Sequence, residues 1–414
     1  MIKFKEISKS NKCEICGSKS INTVLNFNPS PLGDIYLPSH KKHLSNKLYP
    51  LDLYNCIKCG YLSLAKKVNP KLSYTNYIYE SKTTVGLLSH YDSYAREICK
   101  RLKLTNKDKI LDIGSNDGSM LSSFKKKGLF ILGVEPASEI AKIANNHGLN
   151  TINGYLDNKT RTNILKKYGT FNVITANYVF ANILNINSFV KNIYKLLSKN
   201  GNFVIQTGYH PKQFNKNMFD YVYHEHFSYF SLNTLIFLMS KYKLKLIDVE
   251  TNSKKGGSIR VIFSKNQKAK KNKKRIDKVL NYEKKLKIND NKYFVNFEKR
   301  LIKLKIKSLN ELEKIKKKKK KVIGFGASHS VSTLTHHFEL NKFFDYLIDD
   351  NKKKHGLYSP GSNLIVRPVK FEKKIPDYIY ILAWQHQKTI LKKYKYLKKR
   401  GIKFIIPLPK FRII

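Results

Sequence analysis

Two Cys-x-x-Cys pairs near the N-terminus constrain the fold of this chain more than any other feature. The pairs are Cys13–Cys16 and Cys56–Cys59, and a glycine follows each of them. Each pair can place two thiolates on a tight turn, and two such turns supply the four tetrahedral ligands that zinc prefers. In a reducing compartment structural disulfides are disfavoured. We therefore predict a structural zinc site. The fifth cysteine, Cys99, is expected to be a small core residue of a helix.

The charge composition raises the question of nucleic-acid binding. The chain has 80 Lys and Arg residues against 29 Asp and Glu residues, a formal net charge of +51. Basic surfaces bind phosphate backbones through counterion release. The lysines are nevertheless spread along the whole chain, and the densest block, Lys316–Lys321, lacks the interleaved aromatic residues of a single-strand binding surface. We therefore expect no nucleic-acid partner.

Length and hydrophobic content predict a folded protein of several domains. The chain has 414 residues, of which 41% are hydrophobic and 12% aromatic, so there is enough apolar surface to offset the entropy of ordering. No apolar run reaches the length of a membrane-spanning helix. The N-terminal residues show neither an apolar secretory core nor a small-residue cleavage site. These features predict a cytoplasmic protein, and they leave its oligomeric state open.

Residues 105–265 alternate short apolar runs with amphipathic segments, which is typical of an α/β sheet. Residues 265–321 are highly charged with helical periodicity, and a second, smaller α/β unit begins at Val322. Strands are predicted at Lys109–Gly114, Phe130–Glu135, Val173–Ala176 and Asn202–Thr207, and helices at Asp117–Lys127, Ser138–His147 and around Asn187–Leu197.

A glycine-containing turn follows the first predicted strand of this sheet. The string from Leu111 to Gly118 reads Leu-Asp-Ile-Gly-Ser-Asn-Asp-Gly, and the second strand ends at Glu135. Glycines after a strand let a cofactor approach the backbone, and the following helix N-terminus favours an anionic group. An acid about twenty residues later can accept hydrogen bonds from ribose hydroxyls. Taken alone, this pattern also fits a nicotinamide dinucleotide.

The full strings resemble the S-adenosylmethionine (SAM) site of class I methyltransferases. More narrowly, the chain resembles the sugar C-methyltransferase family that acts on deoxy 4-keto nucleotide sugars, and the resemblance covers nearly the whole chain. The motifs that carry it, beyond the cysteine pairs and the cofactor turn, are Pro31–Asp34, Tyr49–Leu51, Tyr223–Ser231, Gly324–Ser328, Ile348–Asn351, Tyr358–Gly361 and Leu382–Trp384.

The resemblance implies an α/β fold with a class I, Rossmann-like methyltransferase domain between two other domains. We expect a zinc-binding domain at 1–75, a SAM-binding domain at 76–265, charged connecting helices at 266–321 and a Rossmann-like substrate-binding domain at 322–414. The implied partner is a nucleotide sugar, with SAM and zinc as cofactors. The implied SAM contacts are Asp112, Gly114, Ser115, Asn116, Gly118, Glu135, Pro136 and Asn177.

The Tyr-His-Glu-His cluster supports C-methylation on chemical grounds. Methylating a carbon requires a nucleophilic carbon, and a ketone provides one when a base removes the neighbouring proton. A histidine of near-neutral pKa suits that transfer, a carboxylate can orient the imidazole, and a phenol can stabilise the oxyanion. By family resemblance His226 is the general base, and Glu225 and Tyr223 orient it or bind the sugar. His224 is the less favoured alternative.

A tyrosine-rich segment, Asn76–Ser81, resembles the one that contributes an active-site phenol in the family, and both Tyr77 and Tyr79 are candidates. Three positions depart from the usual pattern. Asn182 stands where a histidine is common, His329 where a lysine is common, and Gln385 where an asparagine is common. Asn182 can form hydrogen bonds but cannot shuttle a proton.

The chain lacks sequence features that nucleic-acid methyltransferases need. Base-directed amino methylation commonly uses an Asp/Asn-Pro-Pro-aromatic motif, and Asn177–Phe180 contains no proline. Cytosine carbon-5 methylation needs a nucleophilic cysteine, and residues 105–414 contain none. An intact cofactor turn also argues against a non-enzymatic zinc adaptor. A small-molecule O-methyltransferase stays open, because His226 could equally deprotonate a hydroxyl. The sequence leaves the sugar, its nucleotide and the methylated carbon undetermined.

Overall fold

The N-terminal part of the chain consists of small antiparallel sheets. A computed structural model describes residues 6–70, 72, 81–83, 86–371 and 375–414. Strand β1 pairs with β5, and β2, β3 and β4 form a second antiparallel sheet. The second Cys-x-x-Cys pair lies on the tight turn between β3 and β4. The bounds are Ile7–Lys9 (β1), Ile21–Leu25 (β2), Leu53–Cys56 (β3), Leu62–Leu64 (β4) and Lys66–Val68 (β5).

The central part is built on a seven-stranded sheet with the order β12-β13-β10-β9-β6-β7-β8. Strands β6 to β10 of this sheet are parallel, and β13 runs antiparallel to both β10 and β12. The bounds are Lys109–Ile113 (β6), Phe130–Glu135 (β7), Thr151–Asn153 (β8), Phe171–Asn177 (β9), Leu197–Gly208 (β10), Lys245–Asn252 (β12) and Ser258–Ser264 (β13). Strand β11, Ser228–Tyr229, lies between β10 and β12 in the sequence but is not part of this sheet.

Helices cover both faces of the central sheet, which explains why β6 and β9 are buried along most of their length although both contain polar residues. Several of the helices begin at a side-chain cap. Asp157 caps α4 by accepting from Thr160 N, and Ser231 caps α7 by accepting from Thr234 N. The bounds are Leu87–Leu102 (α1), Ser119–Lys125 (α2), Ser138–Asn146 (α3), Asn158–Tyr168 (α4), Ile186–Leu196 (α5), His210–Asn215 (α6) and Leu232–Ser240 (α7).

The strand order fixes where a ligand can enter. From β6 the chain proceeds to β7 and β8 on one side, and then crosses to β9 and β10 on the other. A doubly wound sheet opens a crevice at the carboxyl ends of its strands where the order reverses. That crevice lies between β6 and β9, directly above the glycine turn. The predicted α/β class and the predicted strands and helices of this part are confirmed, with ends that differ by a few residues.

Two helices lead to the C-terminal part. This part contains a six-stranded sheet of order β16-β15-β14-β17-β18-β19. Its strands β14 to β18 are parallel, and β19 runs antiparallel to β18. The helix bounds are Lys273–Leu286 (α8), Asn291–Lys317 (α9), His329–His337 (α10), Gln387–Lys393 (α11) and Lys395–Lys399 (α12). The strand bounds are Val322–Phe325 (β14), Leu347–Ile348 (β15), Val366–Arg367 (β16), Tyr378–Ile381 (β17), Lys403–Ile406 (β18) and Arg412–Ile413 (β19).

The segment 209–230 leaves the central sheet and packs between the other two parts. Its strand β11 pairs antiparallel with β4, so it completes the N-terminal sheet. Its Val222 carbonyl accepts from Thr333 Oγ1 of the C-terminal part at 2.7 Å. The predicted boundaries assign this segment to the central domain alone, because sequence patterns do not reveal which domain a short strand joins. No helix among the described residues is both long enough and apolar enough to cross a bilayer.

Candidate active site

The four predicted metal ligands come together at one point. The Sγ atoms of Cys13, Cys16, Cys56 and Cys59 all lie within 4.8 Å of one another. The shortest distances are 3.5 Å, between Cys13 and Cys59 and between Cys16 and Cys56. A tetrahedral zinc with Zn–S bonds of about 2.3 Å places its sulfurs about 3.8 Å apart. The free thiols therefore fit a tetrahedral metal, and within the described residues no disulfide joins them.

A cavity of about 580 Å³ lies at the carboxyl ends of β6, β7 and β9. Seven of the eight residues that we expected around a cofactor line it. They are Asp112, Gly114, Ser115, Asn116, Glu135, Pro136 and Asn177. Gly118 does not line the cavity. It begins α2 with a φ of 77°, and a side chain there would clash with Leu149.

Close contacts within the protein fix the conformation of the turn after β6. Gly114 has a φ of 68°, and a Cβ on it would lie 2.7 Å from Val179 Cγ2. Asn116 also adopts a left-handed φ of 51°, and its backbone N–H donates to Glu135 Oε2 at 2.9 Å. The other carboxylate oxygen of Glu135 accepts from Ala137 N at 2.9 Å. The turn and the carboxylate that ends β7 thus hold each other in place.

Buried polar groups below the turn have unused hydrogen-bonding capacity. Burial raises the pKa of Asp112 to about 7, although its Oδ1 accepts from Thr175 Oγ1 and Asn177 Nδ2. Asn177 Oδ1 and Ser115 Oγ are buried without a hydrogen-bond partner in the described part of the chain. Unsatisfied buried polar atoms are costly, so their presence on this cavity wall fits a polar ligand such as SAM.

One edge of the cavity is closed by residues that precede α1. The backbone N–H of Ser81 donates to Asn116 Oδ1 at 2.8 Å, and that of Lys82 donates to Asp117 Oδ2 at 2.9 Å. Ser81 itself lines the cavity. Tyr77 and Tyr79 lie outside the described residues, so the choice between them stays a prediction.

The geometry around His226 defines its tautomer. Its Nδ1 lies 3.1 Å from the Tyr221 carbonyl oxygen, and its Nε2 lies 2.8 Å from the Tyr223 hydroxyl. Because a carbonyl only accepts, Nδ1 carries the hydrogen and Nε2 accepts from Tyr223. We expected Glu225 and Tyr223 to orient His226 or to bind the sugar, and of these two the Tyr223 hydroxyl is the one that lies against a ring nitrogen. The orienting groups are the Tyr221 carbonyl and the Tyr223 hydroxyl, because the turn brings these two against the imidazole.

Glu225 and His224 face other parts of the protein. The Glu225 carboxylate is 4% exposed and lies 3.9 Å from Nε2 of His329, at the first position of α10. His224 is 1% exposed and donates from Nε2 to the Tyr49 carbonyl oxygen at 3.3 Å. His224 therefore belongs to the contact with the N-terminal part.

Tyr178 and Lys255 join His226 to the cofactor cavity, and sequence reasoning assigned neither of them. A second cavity of about 30 Å³ lies beside the first and is lined by His226. Tyr178 and Lys255 line both cavities. Asn182, noted above as a departure from the family pattern, lines the larger one. The sequence could have indicated Tyr178, because it directly follows β9 at the carboxyl edge of the sheet. Lys255 could not be singled out in this way, because it is one of 80 basic residues.

Comparison with known proteins matches each part of the chain. Residues 13–74 match the family described as "Putative zinc binding domain", residues 87–249 match a methyltransferase domain, and residues 253–409 match the C-methyltransferase C-terminal domain. The C-methyltransferase NovU of Streptomyces niveus is 27% identical over 406 residues, which cover 98% of this chain and 97% of that protein. These matches show a SAM-dependent methyltransferase that carries a C-methyltransferase C-terminal domain.

Two solved structures that resemble this C-methyltransferase each match less than half of it. The PH0226 protein from Pyrococcus horikoshii has a TM-score of 0.37 and 13% identity over 47% of this chain and 98% of its own. The magnesium protoporphyrin IX methyltransferase ChlM from Synechocystis PCC 6803, solved with bound SAM, has a TM-score of 0.34 and 11% identity. It covers 44% of this chain and 81% of its own.

The methyltransferase uses SAM as methyl donor, and the four-cysteine cluster is the site of its zinc. When bound, SAM supplies an electrophilic methyl group, and the zinc holds two loops of the N-terminal domain together. Beside the cofactor cavity lie the hydrogen-bonded His226–Tyr223 pair and the side chains of Tyr178 and Lys255. This arrangement can remove a proton beside a bound methyl donor.

Proposed function

We propose that this C-methyltransferase acts on a nucleotide-linked keto-deoxysugar through an enolate, with His226 as general base. One observation carries the proposal. His226 lines a small cavity that shares Tyr178 and Lys255 with the cofactor cavity, so the nitrogen base and the methyl donor flank the same two side chains. A carbon acid that reaches this point lies between a proton acceptor and an electrophilic methyl group, the geometry that alkylation of an enolate requires.

The protonation state of His226 suits this role. Burial lowers its pKa to about 3, so the imidazole is uncharged at neutral pH. An uncharged imidazole with Nε2 unprotonated is the form that can take a proton. Its basicity is weak before the substrate is bound. As the enolate develops, its negative charge favours the imidazolium form of His226. The pKa of His226 therefore rises during the proton transfer.

The order of the sequence motifs supports the sugar substrate, since it resembles that of sugar C-methyltransferases throughout. The small cavity has the volume of about one water molecule. A sugar ring therefore reaches His226 only if neighbouring side chains move. We propose that the Tyr223 hydroxyl yields its place at Nε2 to the carbon acid.

A candidate position for the nucleotide end lies where all three parts of the chain meet. His329 and Lys354 of the C-terminal part both face Asp34 of the N-terminal part, and His329 also faces Glu225. The rings of His329 and Tyr223 are 5.5 Å apart, so this cluster adjoins the proposed base. Cationic side chains and a helix N-terminus suit a diphosphate. We propose that the C-terminal domain holds the nucleotide from this side.

The test is SAM turnover with a panel of nucleotide-linked 4-keto-deoxysugars in deuterated water, with RNA as a parallel substrate. We expect a methylated sugar with a new carbon–carbon bond, and deuterium at the carbon next to the carbonyl when methyl transfer is blocked. Methylation of a sugar oxygen alone would contradict the enolate and favour an O-methyltransferase. Methyl transfer to RNA would contradict the sugar substrate.

A further inference from the structure

We propose that Lys255 is a further catalytic residue, whose ammonium group binds the carbonyl oxygen of the substrate and stabilises the enolate. This inference rests on the proposed function, because it requires an enolate at the centre described above. Lys255 is the cationic residue that lines both the cofactor cavity and the small cavity at His226 within the described ranges. An oxygen bound there is adjacent to a carbon that faces both the base and the methyl donor.

The turn that carries Lys255 is held rigidly. It connects β12 to β13, and Lys255 has a left-handed φ of 47°. Its carbonyl oxygen accepts from Gln213 Nε2 at 3.2 Å, and the next carbonyl, that of Gly256, accepts from Lys216 Nζ at 3.0 Å. A Cβ on Gly256 would lie 1.8 Å from Met218 Sδ, so this turn packs directly on the segment that leads to His226.

Tyr178 positions the lysine from the opposite side. Lys255 Nζ lies 4.2 Å from the centroid of the Tyr178 ring, which is a cation–π contact. Tyr178 also has a left-handed φ, 57°, and directly follows β9. Non-glycine residues in this conformation cost free energy and cluster at functional sites. Two of them face each other here, which indicates that the protein maintains this contact at a cost in stability.

The surroundings make the charge effective. The small cavity has two further tyrosines in its wall, Tyr221 and Tyr229. Burial lowers the pKa of Lys255 to about 8, so most of the ammonium is charged at neutral pH. A charge in such a site interacts more strongly with a developing oxyanion than it would in water. It also disfavours protonated His226, a cost that the enolate charge offsets.

The reaction has two steps, enolisation and methyl transfer. The carbon–hydrogen bond breaks, its proton goes to His226 Nε2, and a carbon–carbon double bond forms as the carbonyl electron pair moves onto the oxygen beside Lys255. When the carbon attacks the methyl group of SAM, the carbonyl re-forms and the carbon–sulfur electron pair remains on sulfur. Lys255 keeps its proton throughout.

The experiment follows deuterium exchange into the 4-keto sugar with S-adenosylhomocysteine (SAH) filling the cofactor site, so that enolisation is measured without methyl transfer. The variants are Lys255→Met, which keeps the aliphatic stem on Tyr178, and Lys255→Arg, which keeps the charge. Lys254→Met is the matched control, because Lys254 is the exposed neighbour in the same turn. Affinity for SAH is measured for each variant by calorimetry.

We expect Lys255→Met to slow exchange about 10²- to 10³-fold, the range found when one oxyanion donor is removed. Its affinity for SAH should change less than about threefold, Lys255→Arg should recover part of the rate, and Lys254→Met should exchange like wild type. Wild-type exchange in Lys255→Met overturns the inference, as does a loss confined to SAH affinity, which would assign the lysine to the cofactor carboxylate. If Lys255→Met is misfolded, Lys255→Arg decides. This variant keeps the positive charge, so a folded Lys255→Arg protein without measurable exchange overturns the inference. Absence of exchange in wild type instead overturns the proposed function.

Discussion

The Tyr61 hydroxyl lies 2.5 Å from Ser228 Oγ, and this contact joins the zinc-binding domain to the chain two residues beyond His226. Ser63 Oγ donates to the Phe227 carbonyl oxygen at 2.6 Å in the same strand pairing. Glu14, between the first two cysteines, pairs with the buried Lys67. The metal-binding loops are thus connected, through one small sheet, to the segment that carries the proposed base.

Loss of zinc should therefore impair catalysis more than cofactor binding. Replacing Cys13 and Cys56 by serine removes two ligands, and metal binding is coupled to folding of the loops that carry them. We expect loss of the bound zinc, a lower melting temperature, and a fall in turnover larger than the change in SAH affinity. Metal analysis, thermal unfolding and calorimetry measure the three effects.

The control for the cysteine variants is Cys99→Ser, because Cys99 is half-buried on α1 and is not part of the cluster. It should keep the zinc content of wild type. Unchanged zinc content in the double variant would contradict the assignment of the metal site.

Replacement of His226 should separate chemistry from cofactor binding. The side chain does not line the larger cavity, so His226→Ala should leave SAH affinity within about threefold of wild type while reducing turnover at least 10²-fold. Tyr223→Phe removes the hydroxyl that donates to Nε2 but keeps the ring, and should have a smaller effect. Steady-state kinetics and calorimetry on the same preparations provide the comparison. Equal losses of turnover and affinity in His226→Ala would contradict the assigned role.

The cofactor turn was predictable because its geometry is local. Gly114 and Glu135 end adjacent parallel strands, and the sequence pattern alone places those ends together. The surroundings of His226 depend instead on contacts between distant segments. No spacing rule indicates that the Tyr221 carbonyl would lie against His226 Nδ1, or that Ser228 would join the sheet of the zinc-binding domain. Lys255 could not be distinguished by composition, since its role depends on a cavity that appears only in the folded chain.

Glu135 should contribute strongly to cofactor affinity. Its two oxygens each accept one backbone N–H, and each has remaining capacity toward the cavity for ribose hydroxyls. Hydrogen bonds to a charged group contribute about 1.5 to 3 kcal/mol, so Glu135→Ala should weaken SAH binding about 10- to 100-fold. Calorimetric titration measures this. The control is Glu139→Ala, which removes an exposed carboxylate in the first turn of α3 and should bind SAH like wild type.

Asp220 should make stability depend on pH. This residue is 0% exposed, and its Oδ2 accepts from Trp384 Nε1 at 2.9 Å and Gln385 Nε2 at 2.7 Å. Burial raises its pKa from 3.8 to about 7. The folded state therefore holds a proton that the unfolded state has lost, and its free energy of unfolding falls as pH rises from about 4 to about 7.

Asp220→Asn keeps a carbonyl oxygen for Trp384 and removes the ionisation. Relative to wild type, it should gain stability between pH 5 and pH 8, by up to about 3 kcal/mol, because each pKa unit corresponds to about 1.4 kcal/mol. Urea unfolding at both pH values measures the difference. Asp277→Asn, on the exposed face of α8, should show no such trend. A difference that does not change with pH would contradict the burial argument.

The pH profile of turnover should be set on its alkaline side by Lys255. The titratable groups around it in the described part of the chain are His226, Tyr178, Tyr221 and Tyr229 at the small cavity, Lys212 on α6, Lys216 just after α6 and Lys254 in its own turn. His226, with a pKa of about 3, is already unprotonated above pH 5, whereas Lys255 loses its charge through about pH 8. Turnover at saturating substrate should therefore be level from about pH 5 to 7 and fall above 8. In Lys255→Arg the fall should move at least one pH unit upward, because arginine stays protonated. An alkaline limb at the same pH in both proteins would assign the titration to a group other than Lys255.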